Sequence, residues 1–167
     1  MNTEALKREM TLYGDLLVRE YRNRLSSDKK DASGKLGRSF ESSVTEFKRS
    51  TALYIKAYNY ARVIDEGRGK GKTPPPFLRI ADWIYDKGSF RLRDSRGRFV
   101  VKNVANVNRA AYAIAQAMGP KGFAGTNFLT LVYERIADKM GDDLAKAFGQ
   151  DIEAEFKKIL YKDKKIR

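Results

Sequence analysis

The sequence predicts an α+β fold, with a long N-terminal helix, a small antiparallel sheet built from hairpins, and two or three further helices packed on that sheet. Apolar residues recur every three or four positions at the start of the chain and in its second half, as in helices with one buried face. Between residues 36 and 58 they alternate with polar residues instead, as in half-buried strands. The length of 167 residues is that of one domain, so a single domain is expected over 1–167.

The first predicted element is a helical arm over residues 1–25. Within it, charged residues separate apolar ones that are spaced by three or four positions. These apolar residues are Leu6, Met10, Tyr13, Leu17 and Tyr21. The following segment, 26–35, is polar and charged and contains Gly34, so we expect a flexible connection there.

The second predicted element is a hairpin over residues 36–58. Phe40 and Val44 alternate with polar residues in its first arm, and Leu53 and Ile55 occupy alternate positions in its second arm. The period of two therefore predicts two paired strands with a turn near residues 48–50.

The third predicted element is a bend rich in glycine and proline that leads into a helix, over residues 59–88. A short helical turn is expected before Gly67, which is free to adopt a positive φ. Pro76 suits the first turn of the helix, and Gly88 ends it. The stripe that this helix is expected to bury consists of Phe77, Ile80, Ala81 and Ile84.

Aromatic residues on this helix have two interpretations. Phe77, Trp83 and Tyr85 could together form a stacking platform for single-stranded nucleic acid. Aromatic residues at helical spacing belong more often to a core, so the core is the favoured interpretation for Phe77 and Trp83.

The fourth predicted element is a small basic hairpin over residues 89–102, with its turn at 94–97. Alternation places Leu92 on one face of this hairpin and Arg91 and Arg93 on the other. An apolar face and an arginine-rich face are therefore expected.

The remaining segment, 104–160, is predicted to be mainly helical. Its first helix covers residues 106–118 and is expected to stop at Gly119 and Pro120, since these residues are common at helix ends. Thr126 or Asn127 is expected to cap the next helix.

The end of the chain has no single predicted structure. The helical pattern continues past residue 140, but Gly141 and Gly149 are expected to be able to break it. Residues 151–160 fit a strand or a helix equally well, and the lysine-rich last six residues are expected to be frayed.

Composition excludes several kinds of site. The chain has no cysteine and no histidine, so disulfides, Ser-His and Cys-His nucleophiles and the usual zinc ligands are absent. Asp65-Glu66 and Asp142-Asp143 are the paired carboxylates, but helix starts and nearby arginines are expected to account for them. We therefore expect no enzyme activity, no metal and no cofactor. No run of apolar residues resembles a membrane span or a secretion signal, so no membrane partner is expected either.

The stretch GRGKGKTPPP, residues 67–76, resembles a phosphate-binding loop in its first half only. Such a loop needs four residues between its glycines and a helix directly after its lysine. Gly67 and Gly71 are separated by one residue too few, and the prolines at 74–76 keep the chain extended before any helix. A structural corner is therefore predicted instead of a nucleotide site.

Positive charge is concentrated in the middle of the chain. The net charge is +13, and residues 57–102 contribute 11 basic and 5 acidic side chains. A field of this sign favours polyanions without choosing among them. The candidate contacts in the basic hairpin are Arg91, Arg93, Arg96, Arg98 and Lys102. DNA, an acidic neighbouring subunit and plain solvent remain open as their partners.

An ordered set of features resembles the neck proteins of tailed bacteriophages, in particular the head-to-tail joining or tail-completion family. The set begins with Tyr-Ala, an acidic residue before Gly67, the proline bend and the Trp83 helix, and it covers roughly residues 36–140. It continues with a second small-residue helix that ends in glycine, and with Gly-Thr-Asn-Phe before the next helix. The basic hairpin looks like an insertion relative to that family.

The resemblance implies a virion structural protein of the neck that joins the DNA-filled head to the tail. Its expected partners are other copies of itself in a ring of six or twelve, the portal or connector and tail proteins, and packaged DNA through non-specific contact. Its expected location is the virion, and the host cytoplasm during assembly. The alternative function is that of a small basic nucleic-acid-binding protein acting outside a particle.

The bend and the N-terminal helix are the predicted contacts between subunits. A bend stiffened by prolines loses less entropy when a partner fixes it, and the apolar face of the arm needs a surface to cover it. The predicted assembly contacts are Gly67, Lys70, Lys72, Pro74, Pro75, Pro76, Leu6, Met10, Tyr13 and Leu17.

Overall fold

The computed structural model describes residues 3–28, 33–48 and 50–164, and it confirms the α+β class. The chain order of its elements is α1 (Glu4–Ser27), α2 (Lys35–Arg38), β1 (Glu41–Glu46), β2 (Thr51–Lys56), α3 (Tyr60–Glu66), β3 (Gly67–Arg68), α4 (Phe77–Asp86), α5 (Val104–Lys121), β4 (Phe123–Ala124) and α6 (Phe128–Lys164). Part of the predicted flexible connection, one residue of the predicted hairpin turn and the last three residues lie outside the described residues.

The chain forms two compact units. Unit 1 contains Met1–Arg24, Arg38–Ala57 and Phe128–Arg167, and unit 2 contains Leu25–Gly37 and Tyr58–Asn127. The single domain expected over 1–167 would unfold cooperatively as one unit, and this expectation stays a prediction.

In unit 1, α1 and α6 lie side by side and run antiparallel. Three polar contacts connect them in reverse order along the two helices: Leu6 with Asp151, Tyr13 with Asp143, and Glu20 with Arg135. Asp151 is buried and accepts hydrogen bonds from the backbone N–H groups of Ala5 and Leu6 at 3.0 and 2.9 Å. A carboxylate there satisfies two of the unpaired donors at the start of α1, and its negative charge interacts favourably with the positive end of the helix dipole.

Three aromatic rings form the centre of unit 1. Tyr21, Phe40 and Phe128 are buried, and all three pairs are in contact, with ring centroids 5.3 to 6.2 Å apart. Tilted and edge-on arrangements of this kind stabilise aromatic pairs beyond the area that they bury. The cluster joins α1, the residue before β1 and the first residue of α6.

The β1–β2 hairpin has its turn where the sequence predicts it. Glu41 pairs with Lys56 and Glu46 with Thr51, so the turn occupies the residues between. The hairpin passes α1 at Gly14, where a Cβ atom would come within 2.8 Å of Leu53 and of Ser42. Only glycine permits this approach.

The start of the predicted hairpin is wrong. Residues 35–38 form the short helix α2, and Leu36 is fully buried in unit 2 rather than standing on a strand. Residues 36–38 contain only one apolar side chain, that of Leu36. The apparent alternation of apolar and polar residues from Leu36 to Phe40 therefore did not indicate a strand.

Unit 2 has its core between α4 and α5. The stripe of Ile80, Ala81 and Ile84 packs against Val107 and Ala111, as the helical spacing predicted. Leu92, from the basic hairpin, enters the same core and is 4% exposed.

The predicted end of α5 at Gly119 and Pro120 is wrong, because the helix continues to Lys121. A Cβ on Gly119 would lie 3.0 Å from the Lys72 carbonyl oxygen and 3.1 Å from Pro74, so this glycine allows close packing. The helix ends at Gly122, whose φ of 63° leaves the helical region.

The two later glycines do not break the last helix. Gly141 and Gly149 lie inside α6, which runs for 37 residues, about 55 Å at the usual helical rise. A glycine costs a helix interior only about 1 kcal/mol, which contacts along α6 such as those of Asp143 and Asp151 with α1 can offset. The open choice for residues 151–160 is therefore resolved as helix.

Asp151→Ala should destabilise unit 1 by about 1 to 2 kcal/mol, because two backbone donors at the start of α1 lose their acceptor. Urea unfolding followed by circular dichroism measures the loss. Asp142→Ala, an exposed carboxylate on the same helix, is the matched control and should change the free energy of unfolding by less than about 0.5 kcal/mol. Equal effects of the two substitutions would contradict the capping role.

Tyr13 gives unit 1 a dependence on alkaline pH. Its hydroxyl donates a 2.7 Å hydrogen bond to Asp143, and this bond, with burial, raises the pKa of Tyr13 to about 12. Because the folded pKa lies above the usual value of about 10, the stabilisation is complete below pH 10 and is lost as the pH rises from 10 to 12. Unfolding free energies measured across this window should fall more steeply in the wild type than in Tyr13→Phe. Parallel slopes would show that the bond does not contribute.

Candidate functional site

Two backbone segments cross in contact at the glycine-rich corner. β3 and β4 pair antiparallel, with Gly67 opposite Ala124. A Cβ atom on Gly67 would overlap the backbone of Gly125, one on Gly122 would overlap the Arg68 carbonyl oxygen, and one on Gly125 would overlap the Asp65 carbonyl oxygen. Side chains at these three glycines would force the strands apart.

Hydrogen bonds hold the same crossing on its α3 side. The backbone N–H groups of Thr126 and Asn127 each donate a 3.0 Å bond, to the carbonyl oxygens of Ile64 and Asp65. The Thr126 hydroxyl also donates to Ile64, at 3.2 Å. These donors satisfy carbonyl groups at the end of α3 that have no partner within the helix. As expected, α6 begins directly after Asn127.

The loop after the crossing has the form of a structural corner. Gly67 has the predicted positive φ, 80°, and the Arg68 side chain donates to the Thr73 carbonyl. Pro74 packs on Gly119, and α4 begins only at Phe77. Because no helix begins directly after the lysines of this loop, the loop does not have the geometry of a phosphate-binding loop.

Of the bend residues expected at subunit contacts, Lys70, Lys72 and Pro76 are exposed, while Gly67, Pro74 and Pro75 are half-buried. Their contact with a neighbouring subunit stays a prediction.

The basic hairpin is organised by Asp94. Its carboxylate accepts hydrogen bonds from the backbone N–H groups of Arg96 and Arg98, both at 2.9 Å, and forms an ion pair with the Arg98 side chain at 3.0 Å. The Arg98 backbone bond is the main reason that the pKa of Asp94 is lowered. A bridge between Arg93 and Phe99 closes the hairpin, which confirms the predicted turn.

Arginine side chains on this hairpin stack on an exposed aromatic ring. The guanidinium carbon of Arg93 lies 4.1 Å from the centroid of Phe99, and that of Arg91 lies 5.7 Å away. Phe99 is 58% exposed, so the stack lies at the surface. Arg93 also donates a 2.7 Å hydrogen bond to the Gly97 carbonyl. Sequence reasoning missed the role of Phe99, although its place opposite the arginines in the hairpin was the available signal.

Lys102 has a different position from the other predicted basic contacts. Its ammonium group donates to the carbonyl oxygens of Tyr85 and Lys87, both at 3.3 Å. A cation there caps the C-terminal end of α4 and interacts favourably with the negative end of the helix dipole. The structure thus gives Lys102 a role inside unit 2, and its predicted contact with a polyanion stays a prediction.

The prediction that Phe77 and Trp83 are core residues is also wrong. Both are 37% exposed and stand at the edges of the α4 stripe rather than in it. Their rings contact Tyr112 and Phe90 edge-on, at 6.3 and 5.3 Å. Ile80, Ala81 and Ile84 form the α4 side of the core instead.

The apolar face of α1 is covered within unit 1. Tyr13 and Leu17 are buried there, and Leu6 and Met10 are half-buried. The reasoning that this face lies open for a neighbouring subunit is therefore wrong, because α6 and the β1–β2 hairpin of the same chain supply the cover.

An exposed apolar surface lies instead at the end of α6. Beyond Asp151, whose carboxylate binds the backbone N–H groups at the start of α1, α6 continues with mostly exposed side chains. Among them, the side chains of Phe156 and Leu160 are 62% and 63% exposed. We call this stretch the α6 end. Its exposed apolar side chains are Phe156, Ile159, Leu160 and Tyr161. The spacing of four past Gly149 was visible in the sequence, but nothing in the sequence showed that it would remain uncovered.

The paired carboxylates have structural contacts. Glu66 forms the expected ion pair with Arg62, at 2.8 Å, and Asp65 is buried. Asp143 bonds Tyr13, which lowers the pKa of that carboxyl. Asp142 and Asp143 lie in the interior of α6, so their predicted position at a helix start is wrong.

Comparisons with protein families, with characterised proteins and with solved structures found no match to this chain. Among the helices of the described residues, none is both long enough and apolar enough to span a membrane.

Gly125→Ala should destabilise unit 2 by about 3 to 5 kcal/mol, because the added methyl group would overlap the Asp65 carbonyl and separate β3 from β4. Gly71→Ala is the control in the same corner. It has open space around it and a φ of 72°, so only backbone strain of about 1 to 2 kcal/mol is expected. Thermal unfolding of both variants shows which of them is less stable. A Gly125→Ala protein as stable as Gly71→Ala would disprove the tight crossing.

Proposed function

We propose that this chain is a non-enzymatic structural protein of the bacteriophage neck, which joins the DNA-filled head to the tail as one subunit of a ring. The observation that carries the proposal is the arrangement of the residues that resemble that family. Most of the two stretches that carry the resemblance, 60–89 and 111–129, lies in unit 2, where α4 packs on α5 and β3 pairs with β4. Most of these residues are therefore close to one another in the fold, while the remaining parts of the resembling range, at both of its ends, lie in unit 1.

The α6 end supports a role in assembly. A cluster of exposed phenylalanine, isoleucine and leucine side chains is unfavourable in water and marks a surface that a partner covers. Lys157 and Lys158 within this stretch pair with Glu153 and Glu155 of the same helix, so apolar side chains and not charge distinguish the surface. Because the proposed ring consists of identical subunits, we take a second copy of the chain as its occupant.

A second candidate function is that of a small basic protein that binds nucleic acid outside a particle. The stacked arginines of the basic hairpin favour it. The two functions differ in self-association, since the α6 end needs a partner only in the first.

Inactivation of the gene in its phage should leave DNA-filled heads and separate tails in infected cells, because the connecting ring is missing. Complementation with the wild-type chain should restore joined particles, counted by electron microscopy. Phe156→Ser with Leu160→Ser should fail to restore them while the chain still folds, since both side chains are exposed. Leu131→Ser, an exposed leucine at the other end of the same helix, is the matched control and should complement.

Joined particles in the absence of the gene would disprove the neck function. Full complementation by the double variant would instead leave the neck function standing and disprove the α6 end as its contact. Circular dichroism of each purified variant separates loss of assembly from loss of fold.

A further inference from the structure

We propose that the basic hairpin of unit 2 binds the phosphodiester backbone of duplex nucleic acid, independently of sequence, through Arg91, Arg93, Arg96 and Arg98. This site does not depend on the neck function. It follows from the charge balance of the hairpin, from the stacking of its arginines and from the kinds of side chain that surround them.

Positive charge on this surface is only partly offset by nearby acids. Residues 83–102 contain six basic and two acidic side chains. One acid, Asp94, is held by the turn of the hairpin and pairs with Arg98 at 3.0 Å, and the other, Asp86, pairs with Lys35 at 3.3 Å. Within the described residues, the side chains of Arg91 and Arg96 form no ion pair and no hydrogen bond, so their donors are directed to solvent.

Stacking on Phe99 prepares two of the arginines for an anion. A guanidinium group that lies over a ring is attracted to its face, while its N–H donors point outward in the guanidinium plane. Those donors match the oxygen pair of a phosphate. Because the ring already restricts Arg93 and Arg91, less side-chain entropy is lost when a phosphate fixes them.

The surroundings favour nucleic acid over an acidic protein. Protein interfaces have an apolar centre with few charges, but the exposed side chains from 91 to 98 are four arginines and a serine, apart from the half-buried Asp94. The exposed apolar residues Phe99 and Val101 follow this run, but Arg91 and Arg93 lie over the Phe99 ring, so charged groups form most of the surface. Such a surface suits an anionic backbone with regularly spaced charge.

Cations also lie over the other exposed rings of this surface. Lys87 lies 5.0 Å from the ring centroid of Trp83, and Lys102 lies 5.8 Å from that of Tyr85. These rings position positive charge in the same way as Phe99, and stacking on unpaired bases would first have to displace the cations. Contact with phosphates requires no such change, and for this reason we assign a duplex as the ligand.

The test measures binding of the full chain to a random 20-bp duplex, to a single strand of the same length and to polyglutamate, by fluorescence anisotropy over a series of salt concentrations. Each phosphate neutralised contributes about 0.9 to the slope of log K against log salt on a duplex. Changing Arg91, Arg93, Arg96 and Arg98 together to Gln should reduce that slope by about 3. The matched control changes Lys70, Lys72, Arg79 and Arg109 to Gln, which removes the same charge from other exposed positions of unit 2 and should change the slope by less than about 1.

Phe99→Leu tests the stacking without changing charge. It should weaken duplex binding about three- to tenfold while leaving the slope unchanged, because the arginines remain but are less restricted. Equal losses in the hairpin and control quadruple variants would overturn the site in favour of a general positive field. Binding to polyglutamate as tight as to duplex would assign the hairpin to an acidic protein, and tighter binding to the single strand would assign it to unpaired bases. Wild-type affinity of Phe99→Leu would overturn the stacking argument.

Discussion

The backbone crossing of residues 65–68 with residues 122–125 is the constraint on which unit 2 depends. Three glycines let the two segments touch, and donors from Thr126 and Asn127 then reach the carbonyl end of α3. Such contact is tolerated only where no Cβ intervenes, so this part of the sequence allows few substitutions. The crossing fixes where α3 ends and where α5 stops. The proline bend then passes α5 at Gly119, and α4 packs on α5 through the apolar core of the unit.

The position of the basic hairpin follows from that packing. Leu92 enters the α4–α5 core, and Lys102 caps the end of α4, so the hairpin is attached to unit 2 at both of its arms. Its alternate residues therefore point away from the core, and Arg91 and Arg93 meet Phe99 at the surface. Leu92, together with the partly buried Phe90 and Val100, and the capping Lys102 thus determine where four arginines present their charge. This arrangement places charge more precisely than a flexible basic tail does.

Sequence reasoning succeeded where a local period decides the structure. The stripe on α4, the turn between β1 and β2 and the turn of the basic hairpin are all set by residues close in the chain. It failed where distant residues decide. Gly119 was taken for a helix end, but Pro74 packs on it, and Gly141 was taken for a possible break within what is a continuous helix. Tyr13 was assigned to a subunit contact because its face was visibly apolar, while the cover that α6 provides was not visible. A sequence pattern indicates whether a helix face is apolar, but it does not show which part of the structure packs against that face.

The two proposed surfaces would influence each other in an assembly. A chain with a net charge of +13 repels its own copies, so a ring formed through the α6 end works against its own field. Phosphates bound at the basic hairpin would cancel part of that charge and favour further association. In return, a ring would present several hairpins to one duplex, and each bound hairpin would raise the effective concentration of the next. Assembly and nucleic-acid binding should therefore strengthen each other, and both should weaken as salt screens the charges. The same coupling would be absent from a monomer, whose affinity rests on one hairpin alone.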